Sequence, residues 1–314
     1  MPKTINQHWC NYVKLYAECI ACQINIRLKD IERLVYNEDK RVEIIKNIVE
    51  KVSNRLKNCR DRYDSLCIPT VIATDLFRYI KHTTGLSDPY RELKKKANEE
   101  ALKIYREIKQ IIESISSPID RLHIAIKISL IGNTLDTGVV GYTPPDINEI
   151  KNLANSLEIY GDIDPVINIF MNANDVAILM DNSGEAVFDK ILADVLKDMG
   201  KKVIAIVKGG AFQNDITIED AVDANLHESF DRVIDTGSDA SSIFLDEVRP
   251  EVIEILNNVD VVVAKGMANY EYITEIESML KKPVVYMLVA KCRPIARDIG
   301  VPLGKAVVKI GNNL

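Results

Sequence analysis

From residue 175 to residue 310 the chain alternates short apolar runs with amphipathic helical patterns. That alternation narrows the fold more than any other feature. The runs fall at 175–180, 202–207, 231–234, 259–264, 283–289 and 306–310. Each is short enough to be a buried strand. Helical patterns lie between them, around 185–199, 217–225, 249–257 and 270–280. Strands that alternate with helices need crossover connections, so the pattern predicts a doubly wound, mainly parallel α/β sheet.

The chain before residue 135 or so reads as helix throughout. Val42, Ile45, Val49, Val52 and Leu56 form one apolar stripe, and Leu102, Tyr105, Ile108, Ile112 and Ile115 another. Pro69, Pro89 and Pro118 are expected at first helical positions, with Asp88 and Ser117 as N-caps. Residues 139–147, with their glycine and paired prolines, read as a linker. The expected division is a helical domain over 1–147 and an α/β domain over 148–314.

The length of 314 residues is ample for a large core, and the balance of apolar and charged residues is that of an ordinary globular protein. A net charge of -6, with lysines dispersed among acids, argues against nucleic acid as a partner. No stretch approaches the roughly 20 apolar residues of a membrane span, and Met1-Pro2-Lys3-Thr4 leads into no apolar leader segment. The expectation is a cytoplasmic protein whose six cysteines are reduced.

In an open parallel sheet, ligands bind beyond the carboxyl ends of the strands. The run 176–180 leads into Asp181-Asn182-Ser183-Gly184-Glu185, and Val187, Ile191, Val195 and Met199 then mark a helix face. Asp181 and Asn182 offer oxygen ligands at that turn, and the N–H groups at Ser183-Gly184 suit a phosphate. The next strand leads into Lys208-Gly209-Gly210 and on to Asn214-Asp215 before Thr217. Later strands end at Asp235, at Lys265-Gly266 and at Lys291. Asp235 and Asp239, taken singly, read as caps. Taken together, the strand ends supply hard oxygen ligands for a divalent cation, and Lys265 and Lys291 to neutralise phosphate oxygens. Asn133 and Asp136 share a helix end that can reach the same rim.

Other chemistries find less support. His8, His82, His123 and His227 are scattered. There is no nucleophile-elbow, phosphate-loop or dinucleotide fingerprint. The second aspartate of an Asp-x-Asp phosphatase motif is replaced by Ser183. Cys19-Ile20-Ala21-Cys22 lacks the further ligands of a zinc site and reads first as two small thiols on a helix face.

The segments Asp181-Asn182-x-Gly184-Glu185-x-x-x-Asp189, Asn214-Asp215-x-Thr217, Lys265-Gly266 with Asn269 and Glu271, and Lys291 resemble the DUF89 family, the damage-control or ARMT1-like phosphatases. Cys19-x-x-Cys22, Asp88-Pro89-Tyr90 and Gly132-Asn133-x-x-Asp136 resemble its archaeal and bacterial branch. The resemblance covers nearly the whole chain. It implies an all-helical N-terminal region packed on a Rossmann-like α/β domain. It implies a divalent cation (Mg2+, Mn2+, Co2+ or Ni2+) held by Asp181, Asn182 and Asp215. It implies hydrolysis of phosphate esters of small metabolites, sugar phosphates among them. Asp181, Lys265 and Lys291 would then be catalytic. Asn133, Ser183, Gly184, Glu185, Gly266, Asn269 and Glu271 would line the substrate, with Asp136 in support. A non-catalytic protein that binds a phosphorylated metabolite is the alternative. An S-adenosylmethionine-dependent carboxyl methyltransferase ranks lower, because the glycine-rich loop it needs after the first strand is absent.

Overall fold

A computed structural model describes residues 15–59, 67–134 and 147–311. Asp136, His8 and most of the expected linker lie outside the described residues. Five helices come first: α1 (Ala17–Leu34), α2 (Glu38–Asn58), α3 (Pro69–Thr84), α4 (Arg91–Glu113) and α5 (Pro118–Thr134). Their ends follow local chemistry. The Asn37 side chain accepts from the Lys40 N–H at the start of α2, and Gly85 closes α3 in the left-handed region at φ 72°. Pro69 and Pro118 open helices as expected. Pro89 does not. Asp88 accepts from the N–H of Tyr90 in a side-chain turn, and α4 begins two residues later than expected, at Arg91.

Next come α6 (Ile147–Ser156), β1 (Ile159–Gly161), α7 (Ile163–Asn172), β2 (Asp175–Leu179), α8 (Glu185–Asp198), β3 (Lys202–Val207), α9 (Ile218–Asp223), β4 (Arg232–Asp235), α10 (Pro250–Asn258), β5 (Val261–Lys265), α11 (Gly266–Ile276), β6 (Val284–Val289), α12 (Arg293–Ile299) and β7 (Ala306–Ile310). The strands form one sheet in the order β1-β7-β6-β5-β2-β3-β4. Every pairing is parallel except β6 with β7. The doubly wound, mainly parallel α/β reading holds. Sequence patterning missed β1, which is only three residues long, and α12.

Both faces of the sheet are covered. Val176, Ile178 and Met180 point into a core shared with Tyr105 and Ile108 of α4, Leu122 and Ile126 of α5, and Val187 and Ile191 of α8. Ala177 and Leu179 point to the other face, against Val252 of α10, Tyr270 of α11 and Ile295 of α12. Helices α1 to α3 close on a cluster of their own around Ile31, Ile48 and Ile80. Helix α3 docks on the sheet's carboxyl edge through charge. Arg78 reaches Asp239 at 2.8 Å and Glu247 at 2.9 Å, and Lys81 reaches Asp239 at 2.5 Å.

No helix among the described residues is long and apolar enough to cross a membrane. The expectation of uniformly reduced cysteines is corrected at one pair. The end of α2 and the approach to α3 bring the Cα atoms of Cys59 and Cys67 to 6.0 Å, and the two form a disulfide. Cys19, Cys22 and Cys292 are free thiols.

Candidate active site

Strand β2 lies between β5 and β3, so the chain's crossovers leave it in opposite directions. A crevice opens at such a switch point, beyond the carboxyl ends of the strands. Asp181 and Asn182 follow β2, the 208–217 loop follows β3, and Lys265-Gly266 ends β5. Three loops distant in sequence therefore meet at one rim.

Backbone pairing fixes how two of them meet. Asn182 and Asp215 form an isolated antiparallel bridge. The Ser183 N–H donates to Asn214 O and the Ile216 N–H to Asp181 O, both at 2.9 Å. Thr217 and Asp220 form a capping box that starts α9 and anchors the far end of the loop. The second carboxylate is thus held against the first by main-chain bonds.

The carboxylates are buried and crowd one another. Asp181 is 8% exposed and Asp215 5%. Burial, then the neighbouring carboxylates of Glu185 and Asp215, hold the Asp181 pKa well above its ordinary value. Burial lifts Asp215 to about 6, with Lys208 pulling the other way. Asp215 Oδ2 accepts no hydrogen bond among the described residues, and the Lys208 ammonium lies 3.5 Å from it. Glycine at 266, with φ at 77°, is required by close approach. A Cβ there would stand 1.9 Å from Asp181 Oδ2.

The first turn of α8 adds Glu185, and the end of α5 adds Asn133. Asn133 Nδ2 donates to Asp181 Oδ2 at 3.1 Å and to Glu185 Oε2 at 2.8 Å, and its Oδ1 accepts the Val289 N–H at 2.9 Å. Asn182 Nδ2 donates to the same two oxygens at 2.8 and 3.1 Å. Helix α5 can come this close because residue 132 is glycine, and a Cβ there would lie 3.0 Å from Phe188 Cβ.

The expected lysines separate into two kinds. Lys291 is exposed, and its charge favours the ionised form of Asp181. Lys265 is fully buried. Its ammonium donates to Asp189 Oδ1 at 2.7 Å and to Ser129 Oγ at 2.5 Å and O at 3.0 Å, and stands 3.2 Å from Glu185 Oε1. Burial disfavours that charge, but Asp189 and Glu185 outweigh it and raise the Lys265 pKa.

The remaining expected residues mostly serve the frame. The Ser183 and Gly184 N–H groups, expected to be open to a phosphate, are taken by Asn214 O and, at 2.6 Å, by Asn98 Oδ1 of α4. Asn269 donates to Lys265 O at 2.8 Å and accepts from Ser242 Oγ at 2.9 Å. Glu271 lies against α3, where Thr70 Oγ1 donates to it. Asp235 accepts the Gly237 N–H at 2.8 Å, and Asp239 is held by Arg78 and Lys81. Burial pushes the Cys19 thiol up to about 11 and Cys292 up to about 12, which leaves little reactive thiolate at neutral pH.

Sequence reasoning passed over Lys208, Asn98 and Ser129. Lys208 was findable, because it follows a buried strand as Lys265 and Lys291 do. Asn98 and Ser129 carried no signal, since each is one polar residue on a helix.

The donor set of Asp181, Asn182 and Asp215 is two carboxylates and a carboxamide. Its two carboxylates are buried and its carboxamide half-buried, and Asp215 Oδ2 is short of hydrogen-bond donors. That chemistry fits a hard divalent cation. Among the described residues no three histidine, cysteine or carboxylate side chains gather as a metal cage. A cleft of about 610 Å3 between α3 and the 208–217 loop is lined by Lys81, Gly210, Thr217 and Asp239, and by neither Asp181 nor Asn182.

The chain is similar to known proteins over nearly its full length. The family model described as the damage-control phosphatase ARMT1-like domain matches residues 15–307. A damage-control phosphatase of Archaeoglobus fulgidus is 34% identical over 278 residues, covering 88% of this chain and 94% of that protein. An uncharacterized protein of Methanocaldococcus jannaschii is 31% identical over 303 residues, covering 94% and 95%. The crystal structure of a DUF89 family protein from Pyrococcus horikoshii superposes with a TM-score of 0.81 at 28% identity, covering 94% of this chain and 98% of that one. The chain belongs to the DUF89 family, the ARMT1-like damage-control phosphatases.

Proposed function

We propose that this chain is a metal-dependent phosphatase that hydrolyses phosphate esters of small metabolites, including damaged ones. The observation that carries the reading is the Asn182–Asp215 bridge, which sets a second carboxylate beside Asp181 at the sheet's switch point. The A. fulgidus relative, named a damage-control phosphatase, supports it.

Asp181, Asn182 and Asp215 are the residues that would hold the cation. A bound divalent cation supplies Lewis acidity and a water of lowered pKa. Asp181 serves as ligand in this reading, and the nucleophile is water. Lys291, whose charge acts on Asp181, and Lys208, 3.5 Å from Asp215, are suited to the non-bridging phosphate oxygens. Lys265, enclosed by Asp189, Glu185 and Ser129, acts on the shape of the site instead of on the phosphate.

The test is phosphate release from a panel of sugar phosphates with Mg2+, Mn2+, Co2+ or Ni2+, for the wild type and for Asp181→Ala. Turnover that needs a cation and is lost in Asp181→Ala supports the reading. Silence with every cation supports a binding protein, and undiminished turnover in Asp181→Ala removes the assigned centre.

A further inference from the structure

We infer that Asp189, acting through Ser129 and Lys265, is a positioning residue that fixes which way the Asn182 carboxamide faces and so sets the affinity for the cation. This rests on the cation reading above. A carboxamide has nearly the same shape either way round, but its two ends differ in charge. The oxygen can bind a cation, whereas the NH2 end presents hydrogens to it.

Something must hold the amide in the useful orientation. For Asn133 the Val289 N–H does so, since an N–H can only donate and must face Oδ1. Asn182 is held by two carboxylate oxygens, Asp181 Oδ2 at 2.8 Å and Glu185 Oε2 at 3.1 Å, and both demand its NH2 end. Asp181 is itself a proposed ligand, so Glu185 is the partner that stays once a cation is bound.

Glu185 Oε2 can hold Asn182 because Lys265, which meets Glu185 at Oε1, has a nearer counter-ion in Asp189. The Lys265 ammonium lies nearer to Asp189, at 2.7 Å, than to Glu185, at 3.2 Å. Ser129 Oγ donates to the same Asp189 oxygen at 2.5 Å and accepts from Lys265. Asp189 is fully buried. With Asp189 neutralised, the ammonium has one counter-ion left. It closes on Glu185 and draws it from Asn182, and the buried cluster behind the cation carries one negative charge fewer. Each change weakens cation binding, and loss of a partner behind a metal ligand typically costs about 10–100-fold in affinity.

The experiment titrates the full chain with Mn2+ by calorimetry, for the wild type, Asp181→Ala, Asp189→Asn and Ser129→Ala. Phosphate release is measured against Mn2+ concentration, and the unfolding midpoint is measured without metal. Mn2+ affinity is expected to fall by about tenfold or more in Asp189→Asn and by a smaller factor in Ser129→Ala. The activation curves should shift to higher Mn2+, with kcat regained at saturation. A merely structural role would lower the unfolding midpoint and leave the Mn2+ affinity of the folded chain in place. That result overturns the inference. If Asp189→Asn does not fold, Ser129→Ala decides in the same terms. Mn2+ binding that Asp181→Ala abolishes but that neither Asp189→Asn nor Ser129→Ala weakens overturns the relay alone. Absence of Mn2+ binding in the wild type overturns the cation reading and the relay together.

Discussion

Gly266 makes room for the Asp181 carboxylate: a Cβ at position 266 would sit 1.9 Å from Asp181 Oδ2, and the backbone there is held at φ 77°. The turn after β5 is therefore shaped around the side chain that follows β2. Two strands adjacent in the sheet but far apart in sequence share one atom-sized space, and the glycine at 266 has a steric explanation.

Gly266→Ala should consequently disable the site. The substitution adds left-handed strain, roughly 1–2 kcal/mol, and also pushes the Asp181 carboxylate aside. The expected result is a modest fall in unfolding midpoint with loss of most cation-dependent phosphate release. Activity near wild type would mean that the Asp181 position is not critical.

Lys265 and Lys291 should part company when each is replaced by Met. Removing Lys265 leaves Asp189 and Glu185 buried without their cation, a change expected to cost about 3–5 kcal/mol in denaturant unfolding. Removing the exposed Lys291 should change stability by no more than about 0.5 kcal/mol. It should lower kcat/KM by about 100-fold if it neutralises phosphate charge as proposed. Equal stability losses in the two variants would contradict the division between a buried strut and a site cation.

The Glu271 carboxyl gives a pH signature. Burial raises its pKa from 4.5 to about 7, while a hydrogen bond from Thr70 works against the shift. Between those values the unfolded chain binds fewer protons at this position than the folded one, so stability falls as pH rises through the window. Glu271→Gln should remove that loss. The variant should match the wild type near pH 4 and exceed it above pH 7 by on the order of 1–3 kcal/mol. Chemical denaturation at pH 4 and pH 8 measures both points, and an unchanged difference at the two pH values would refute the assignment.

Acid should act in the opposite sense at the α3 dock. Burial opposes the ionised form of Asp239, but hydrogen bonds from Arg78 and Lys81 prevail and lower its pKa below 3.8. Its stabilisation is complete above pH 3.8 and is lost as pH falls through the lower folded value. Arg78→Ala should flatten the acid limb of the unfolding curve. An acid limb as steep as the wild type's would place the sensitivity elsewhere.

The sheet was legible because period and length carry it. Runs such as 202–207 are β-branched and bounded by turns, and six of the seven strands sit where those runs lie. Strand β1 was hidden because three residues cannot show a period, and α4 starts late because the Asp88 side chain makes its own turn. Asp181, Asn182 and Asp215 were legible as strand-end residues, and their meeting depends on a bridge that the pattern does not encode. The setting of Lys265 was not legible. A lysine after a buried strand reads as a phosphate ligand until its counter-ion is seen, and Asp189 lies 76 residues away in sequence.

A crystal soaked in Mn2+ and measured at a wavelength where manganese scatters anomalously tests the central claim most directly. The account predicts one strong peak flanked by Asp181, Asn182 Oδ1 and Asp215, with oxygen distances of about 2.0–2.6 Å. A peak elsewhere with none at that rim, or Asn182 turning its NH2 end to the ion, would contradict it.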